Sequence, residues 1–161
     1  MKKLTLLFLL TFSSIVFAVS EKETTDPRIY NYMSRLIEIH GIHTFGNTRT
    51  ESILKTKGKI TDECRTQLLD ATYDKSLKRI KLIRQFNLLL CAAYFKKYTG
   101  VAYNADELSA SLQRGVVFLT CNNSVDRAGL DAGISFEFVY RTEKGQTIAD
   151  VIVDANSCKG F

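Results

Sequence analysis

The chain has 161 residues, with 22 Lys and Arg against 17 Asp and Glu, four cysteines, one proline and no tryptophan. That length is one ordinary domain with room for a real core, and a lone proline excludes extended polyproline-type binding segments. The formal charge of +5 falls to +3 over residues 19–161 once Lys2 and Lys3 are set aside, an excess that tolerates an anionic partner without requiring one.

Residues 1–18 have the parts of an export signal: Lys2 and Lys3, an apolar stretch from Leu4 to Phe17, and the small residue Ala18. The stretch is too short to serve as a bilayer anchor, and polar Ser20 to Glu23 follow at once. Cleavage after Ala18 is expected. It leaves residues 19–161 as a single disulfide-stabilised domain with no linker, no repeat and no stable membrane insertion.

Val19 to Thr25 is polar. Asp26-Pro27 then opens a helix of roughly 27–40, with Ile29, Met33, Leu36 and Ile37 at helical spacing and Gly41 as its stop. Residues 42–60 are rich in threonine and poor in apolar residues, so they read as a loop. Thr61-Asp62-Glu63 opens a second helical region, with Leu68, Leu69, Ala71, Tyr73, Leu77 and Ile80 as its apolar positions. From Phe86 through Tyr94 the apolar run fits a buried helix or a buried strand; the helix, to about Tyr98, is preferred. Asn104 and Glu107 form a capping box, and the helix they start carries Ala105, Leu108 and Leu112 until Gly115. Val116 to Thr120 is a β-rich run. Ile134, Phe136, Phe138 and Tyr140 alternate with Ser135, Glu137, Val139 and Arg141, Glu143-Lys144-Gly145 is a turn, and Ile148 to Val153 returns as a second strand. The expected class is α+β: a helical N-terminal half, then a helix packed on a small antiparallel sheet with a C-terminal hairpin.

The four cysteines, Cys64, Cys91, Cys121 and Cys158, allow three pairings in an exported chain. Cys64–Cys91 with Cys121–Cys158 is preferred, because each bridge then joins neighbouring elements within one half. Their spacing fits neither a zinc knuckle nor a redox motif, and no cofactor is expected. Asn122-Asn123-Ser124 is a glycosylation sequon, meaningful only in a eukaryotic secretory pathway. His40 and His43 lie three apart, but Gly41 intervenes and no acid or cysteine completes a metal site, so they read as solvated helix-end residues. Lys75, Lys78, Arg79, Lys81 and Arg84 form a basic cluster that on a helix offers phosphate contacts, although no aromatics for base stacking are interleaved with it. Glu137 and Arg141 share one face of the predicted strand as a surface ion pair. No nucleophile elbow, phosphate loop or complete acid–base pair is present, and the chain is not expected to be an enzyme.

Two resemblances add to this reading. Ala102-Tyr103-Asn104-Ala105-Asp106-Glu107-Leu108, Phe138-Val139-Tyr140-Arg141, Lys144-Gly145 and Cys158-Lys159-Gly160-Phe161 resemble the small ribonuclease fold reused in secreted effectors of powdery-mildew type. The catalytic histidine of active ribonucleases would fall at Val153-Asp154-Ala155, so the resemblance implies an inactive scaffold. Ile39-His40-Gly41-Ile42 is similar to a segment of the secreted acid ribonucleases, whose second, His-containing segment would fall at Arg84 to Cys91 without its histidines. The expectation is therefore a secreted, extracellular, effector-like virulence protein that binds a host macromolecule, a host protein before RNA, after possible translocation into host cells. A degenerate acid ribonuclease and an extracellular structural or inhibitory protein are the alternatives.

Overall fold

The computed structural model describes residues 26–100 and 104–160; the expected export segment 1–18 lies outside the described residues. Two helices come first, α1 (Pro27–His40) and α2 (Ile42–Leu54), followed by strands β1 (Gln67–Asp74) and β2 (Arg79–Phe86). Three helices follow, α3 (Leu88–Thr99), α4 (Ala105–Asn122) and α5 (Ser124–Asp131), and the chain closes with β3 (Ser135–Thr142) and β4 (Thr147–Val153). The class is α+β, as expected.

α1 matches its sequence signals. The Asp26 carboxylate accepts the Arg28 N–H, Pro27 opens the helix, and Gly41 ends it at φ +83°. The chain does not loop out after Gly41, however. It starts α2 at once, because Phe45, Gly46 and Thr50 bury a narrow strip, and Thr50 Oγ1 donates back to the Gly46 carbonyl at 2.8 Å. Threonines and two glycines hide that strip in the sequence.

The helix expected over residues 61–80 is instead a hairpin. Its turn is built by Asp74, whose Oδ1 accepts from Ser76 N at 2.8 Å, Ser76 Oγ at 2.6 Å and Leu77 N at 3.1 Å, while Lys78 sits at φ +49°. Such an Asx turn reverses a chain without needing glycine. β2 then shows a two-residue alternation, with Ile80, Leu82 and Phe86 buried. Gly115 does not end α4, and Val116 to Thr120 is not a strand: the helix runs to Asn122, with Val116 and Thr120 continuing the buried stripe of Leu108 and Leu112. Burial at a four-residue period outweighs the β propensity of that run.

The four strands form one sheet in sequence order, β1-β2-β3-β4. β1/β2 and β3/β4 are antiparallel hairpins, and β2 and β3 are joined in parallel, from Arg79↔Ser135 to Phe86↔Thr142. The predicted C-terminal hairpin is present, but its sheet is mixed rather than wholly antiparallel. α2 and α4 lie on one face, where Ile80, Phe136, Tyr140 and Val153 meet Leu112, Val116 and Leu130. Cys64–Cys91 and Cys121–Cys158 are bonded. Among the described residues no helix is long and apolar enough to cross a membrane.

Candidate protein-binding face

Strand alternation sends Ile80, Leu82, Phe136, Phe138 and Tyr140 into the core and their odd-numbered neighbours to the opposite face. That second face carries Arg79, Lys81 and Ile83 of β2, Ser135, Glu137, Val139 and Arg141 of β3, and Asp150 and Ile152 of β4. Register places Lys81, Glu137 and Ile152 in one row across three strands, and Ile83, Val139 and Asp150 in the next. Val139 is 3 % exposed although it lies outside the core cluster, and Ile152 is 49 % exposed.

Glu137 organises the ionic part of this face. Arg79 Nη1 donates to its Oε2 at 3.3 Å and Lys81 Nζ donates to its Oε1, while Arg79 Nε also reaches Ser135 Oγ at 3.2 Å. The Lys81 hydrogen bond first, with Lys81 and Arg79 charge behind it, holds the Glu137 carboxyl below its usual range despite the opposing effect of burial. The expected Glu137–Arg141 pair does not form: both cations come from the neighbouring strand, and Arg141 Nε is buried without a hydrogen-bond partner.

The basic cluster disperses for the same reason. Lys75 and Lys78 are exposed in the hairpin turn, Arg79 and Lys81 are engaged with Glu137, and Arg84 points to the helix-covered side. Arg84 Nε is buried and unpartnered there, as is the Tyr140 hydroxyl. Burial pushes the Tyr140 phenol up, and the Arg84 charge works against that shift. A strand thus divides between two faces what a helix would have gathered on one.

His40 and His43 belong to different helices. His43 Nδ1 and Tyr73 Oη are hydrogen-bonded at 2.9 Å, whereas His40 is exposed and its carbonyl accepts from Thr44. Among the described residues no group of three or more His, Cys, Asp or Glu is placed to hold a metal. Asn122 ends α4 with its Nδ2 donating to the Phe118 carbonyl at 2.7 Å, and Ser124, the third residue of the sequon, is buried.

No family model matches the sequence, and no curated protein is significantly similar to it. Solved structures do match. The pilotin EpsS of the Vibrio vulnificus type 2 secretion system superposes with a TM-score of 0.50 at 18 % identity, over 72 % of this chain and 93 % of its own. This chain shares the fold of that pilotin. A Pseudomonas aeruginosa protein described as secreted shares it, with a TM-score of 0.50 at 16 % identity over 83 % of this chain and 99 % of its own. The type II secretion pilotin AspS of Vibrio cholerae gives 0.49 at 25 % identity, over 80 % and 97 %.

The pilotin fold overturns the ribonuclease-like reading. The segments that suggested it sit in other surroundings: 104–108 opens a helix that continues to Asn122, and 138–142 belongs to a mixed sheet. The host-directed effector reading falls with the scaffold it rested on. The acid-ribonuclease and structural or inhibitory alternatives find no match either. The Ile39–Ile42 segment is simply the junction of α1 and α2, and 84–91 is the junction of β2 and α3.

Proposed function

We propose that this chain is an exported envelope protein that binds a segment of another protein, as a pilotin-type accessory of a secretion machinery, and that it catalyses no reaction. The observation that carries this reading is the second sheet face. It joins half-buried Ile83 and exposed Ile152 to an ion cluster in which Glu137 engages both Arg79 and Lys81, a composition suited to a protein surface. The export pattern of residues 1–18 and the pilotin fold support the envelope location. A protein partner is favoured over RNA because Arg79 and Lys81 are bound to Glu137 and Arg84 faces the other way.

The partner proposed is the secretin of the same organism. Titrating the chain, recovered after export, with the C-terminal region of that secretin in a calorimeter should give saturable binding. Ile152→Glu should weaken it at least about tenfold, since it places a charge in a desolvated contact. Absence of binding would reject the secretion reading; binding unaffected by Ile152→Glu would place the site elsewhere.

A further inference from the structure

The surface around α3 has a different character from the sheet face. α3 packs closely along no other described helix or strand. It is tied to the body at its start, where Asn87 N donates to the Cys64 carbonyl at 2.9 Å and Cys91 is bonded to Cys64. Cys91 is buried and Leu88 and Tyr94 lean on the core, so those residues mark the inner side of the helix. The outer side carries Leu89, Leu90, Ala93, Lys96 and Lys97, all exposed. At 100° per residue these five fall within one stripe. Leu89 is 81 % exposed and Leu90 41 %. Two adjacent leucines standing in water in the first turn of α3, beside its tether to Cys64, are an unpartnered apolar feature. Ile60, 54 % exposed, lies on the adjoining segment, where it bridges to Gln67.

Charge distinguishes this end of the molecule from the rest. Segment 55–65 and α3 together hold six cations (Lys55, Lys57, Lys59, Arg65, Lys96 and Lys97) and two acids, Asp62 and Glu63. The remainder of residues 19–161 holds fourteen cations and fifteen acids. The positive excess of the exported chain is therefore concentrated in these two segments, where Lys57 is paired with Asp70 at 3.7 Å and the segments themselves supply no acid beyond Asp62 and Glu63.

We infer that this end is a peripheral docking site for an anionic lipid surface. The lysines of α3 lie two turns beyond the leucines, about 10 Å along the axis. That is close to the depth of a headgroup layer, about 5–8 Å per leaflet, once lysine stems reach back toward it. Leu89 and Leu90 enter the boundary of the acyl region while Lys96, Lys55 and Lys59 meet headgroup phosphates. Exposed leucines flanked by lysines match the apolar interior and anionic headgroups of a bilayer. The contact is superficial and adds no membrane-spanning segment. It stands apart from the secretion reading, which concerns the sheet face.

The test is co-sedimentation of the chain, recovered after export with both disulfides closed, with vesicles of phosphatidylethanolamine and phosphatidylglycerol, against vesicles of phosphatidylcholine alone. Binding to the anionic vesicles, weakened by added salt, is expected. The double variant Leu89→Glu/Leu90→Glu should lose at least about tenfold in partition, and Lys96→Gln about fivefold. Leu77→Glu, at an exposed leucine in the β1–β2 turn, should bind as the parent does. Circular dichroism and melting temperature verify that these exposed positions leave the fold intact. Equal partition into both vesicles, or undiminished binding by the double variant, would overturn the inference. Binding to neither would also overturn it and leave a protein segment as the occupant of α3.

Discussion

Glu137 is the most enclosed acid on the sheet, set between Lys81 and Arg79 with its side chain only 11 % exposed. Because its folded pKa is lowered, the stability it contributes is fully present above the ordinary carboxylate value of about 4.3 and is lost as pH falls through the folded value. Thermal melts of the parent should therefore decline on the acid side, and Glu137→Gln should flatten that decline while lowering the melting temperature at neutral pH. An identical acid limb in the variant would mean that other carboxylates dominate it. Tyr140 poses the opposite case, a fully buried hydroxyl with no hydrogen-bond partner. An unpaired buried hydroxyl carries a desolvation cost with no bond to offset it. Tyr140→Phe should thus leave stability unchanged or raise it by about 1 kcal/mol in urea unfolding; a loss of that size would reveal a partner for the oxygen. The sequence shows Glu137 and Arg141 on one face of a strand, four residues and about 13 Å apart along it. It does not show that β2 lies alongside, and strand neighbours decide which charges meet.

α2 and α5 touch through a glycine that ordinary pattern reading passes over. A Cβ on Gly129 would lie 2.5 Å from the Phe45 ring, and Phe45 is itself buried. Gly129→Ala should cost about 1–3 kcal/mol by overpacking. Gly115→Ala in α4, where a Cβ meets nothing within 4 Å, is the matched comparison and should stabilise by about 1 kcal/mol through helix propensity. Equal effects at the two sites would remove close packing as the reason for Gly129. What was legible at this scale was whatever carries local chemistry: the Asp26-Pro27 start, the Asn104/Glu107 capping box, and the alternation of 134–141 with its glycine turn. α2, the β1–β2 hairpin and the last two turns of α4 were obscured. Each is specified by what it packs against, and a scan for periodicity sees only the element's own residues. Tyr73 illustrates this: it reads as one more apolar helical position, yet its ring lies over Gly46 and its hydroxyl meets His43.

The whole molecule is two hairpins placed side by side and joined in parallel through β2 and β3, with α3, α4 and α5 between them in sequence. The parallel joint was beyond sequence reading, because no short-range signal links residues 79–86 to 135–142. The candidate site lies across that joint and was visible only as unconnected charges. Each half also contains its own bridge, Cys64 to Cys91 and Cys121 to Cys158. The bonds link the first cysteine to the second and the third to the fourth, in the order in which a chain threaded N-terminus first would present them. An oxidant acting at the exit would meet Cys64 and Cys91 together before Cys121 has emerged, and Cys121 would then have Cys158 as its sole free thiol to find. Vectorial delivery therefore favours the native connectivity over the two crossed pairings.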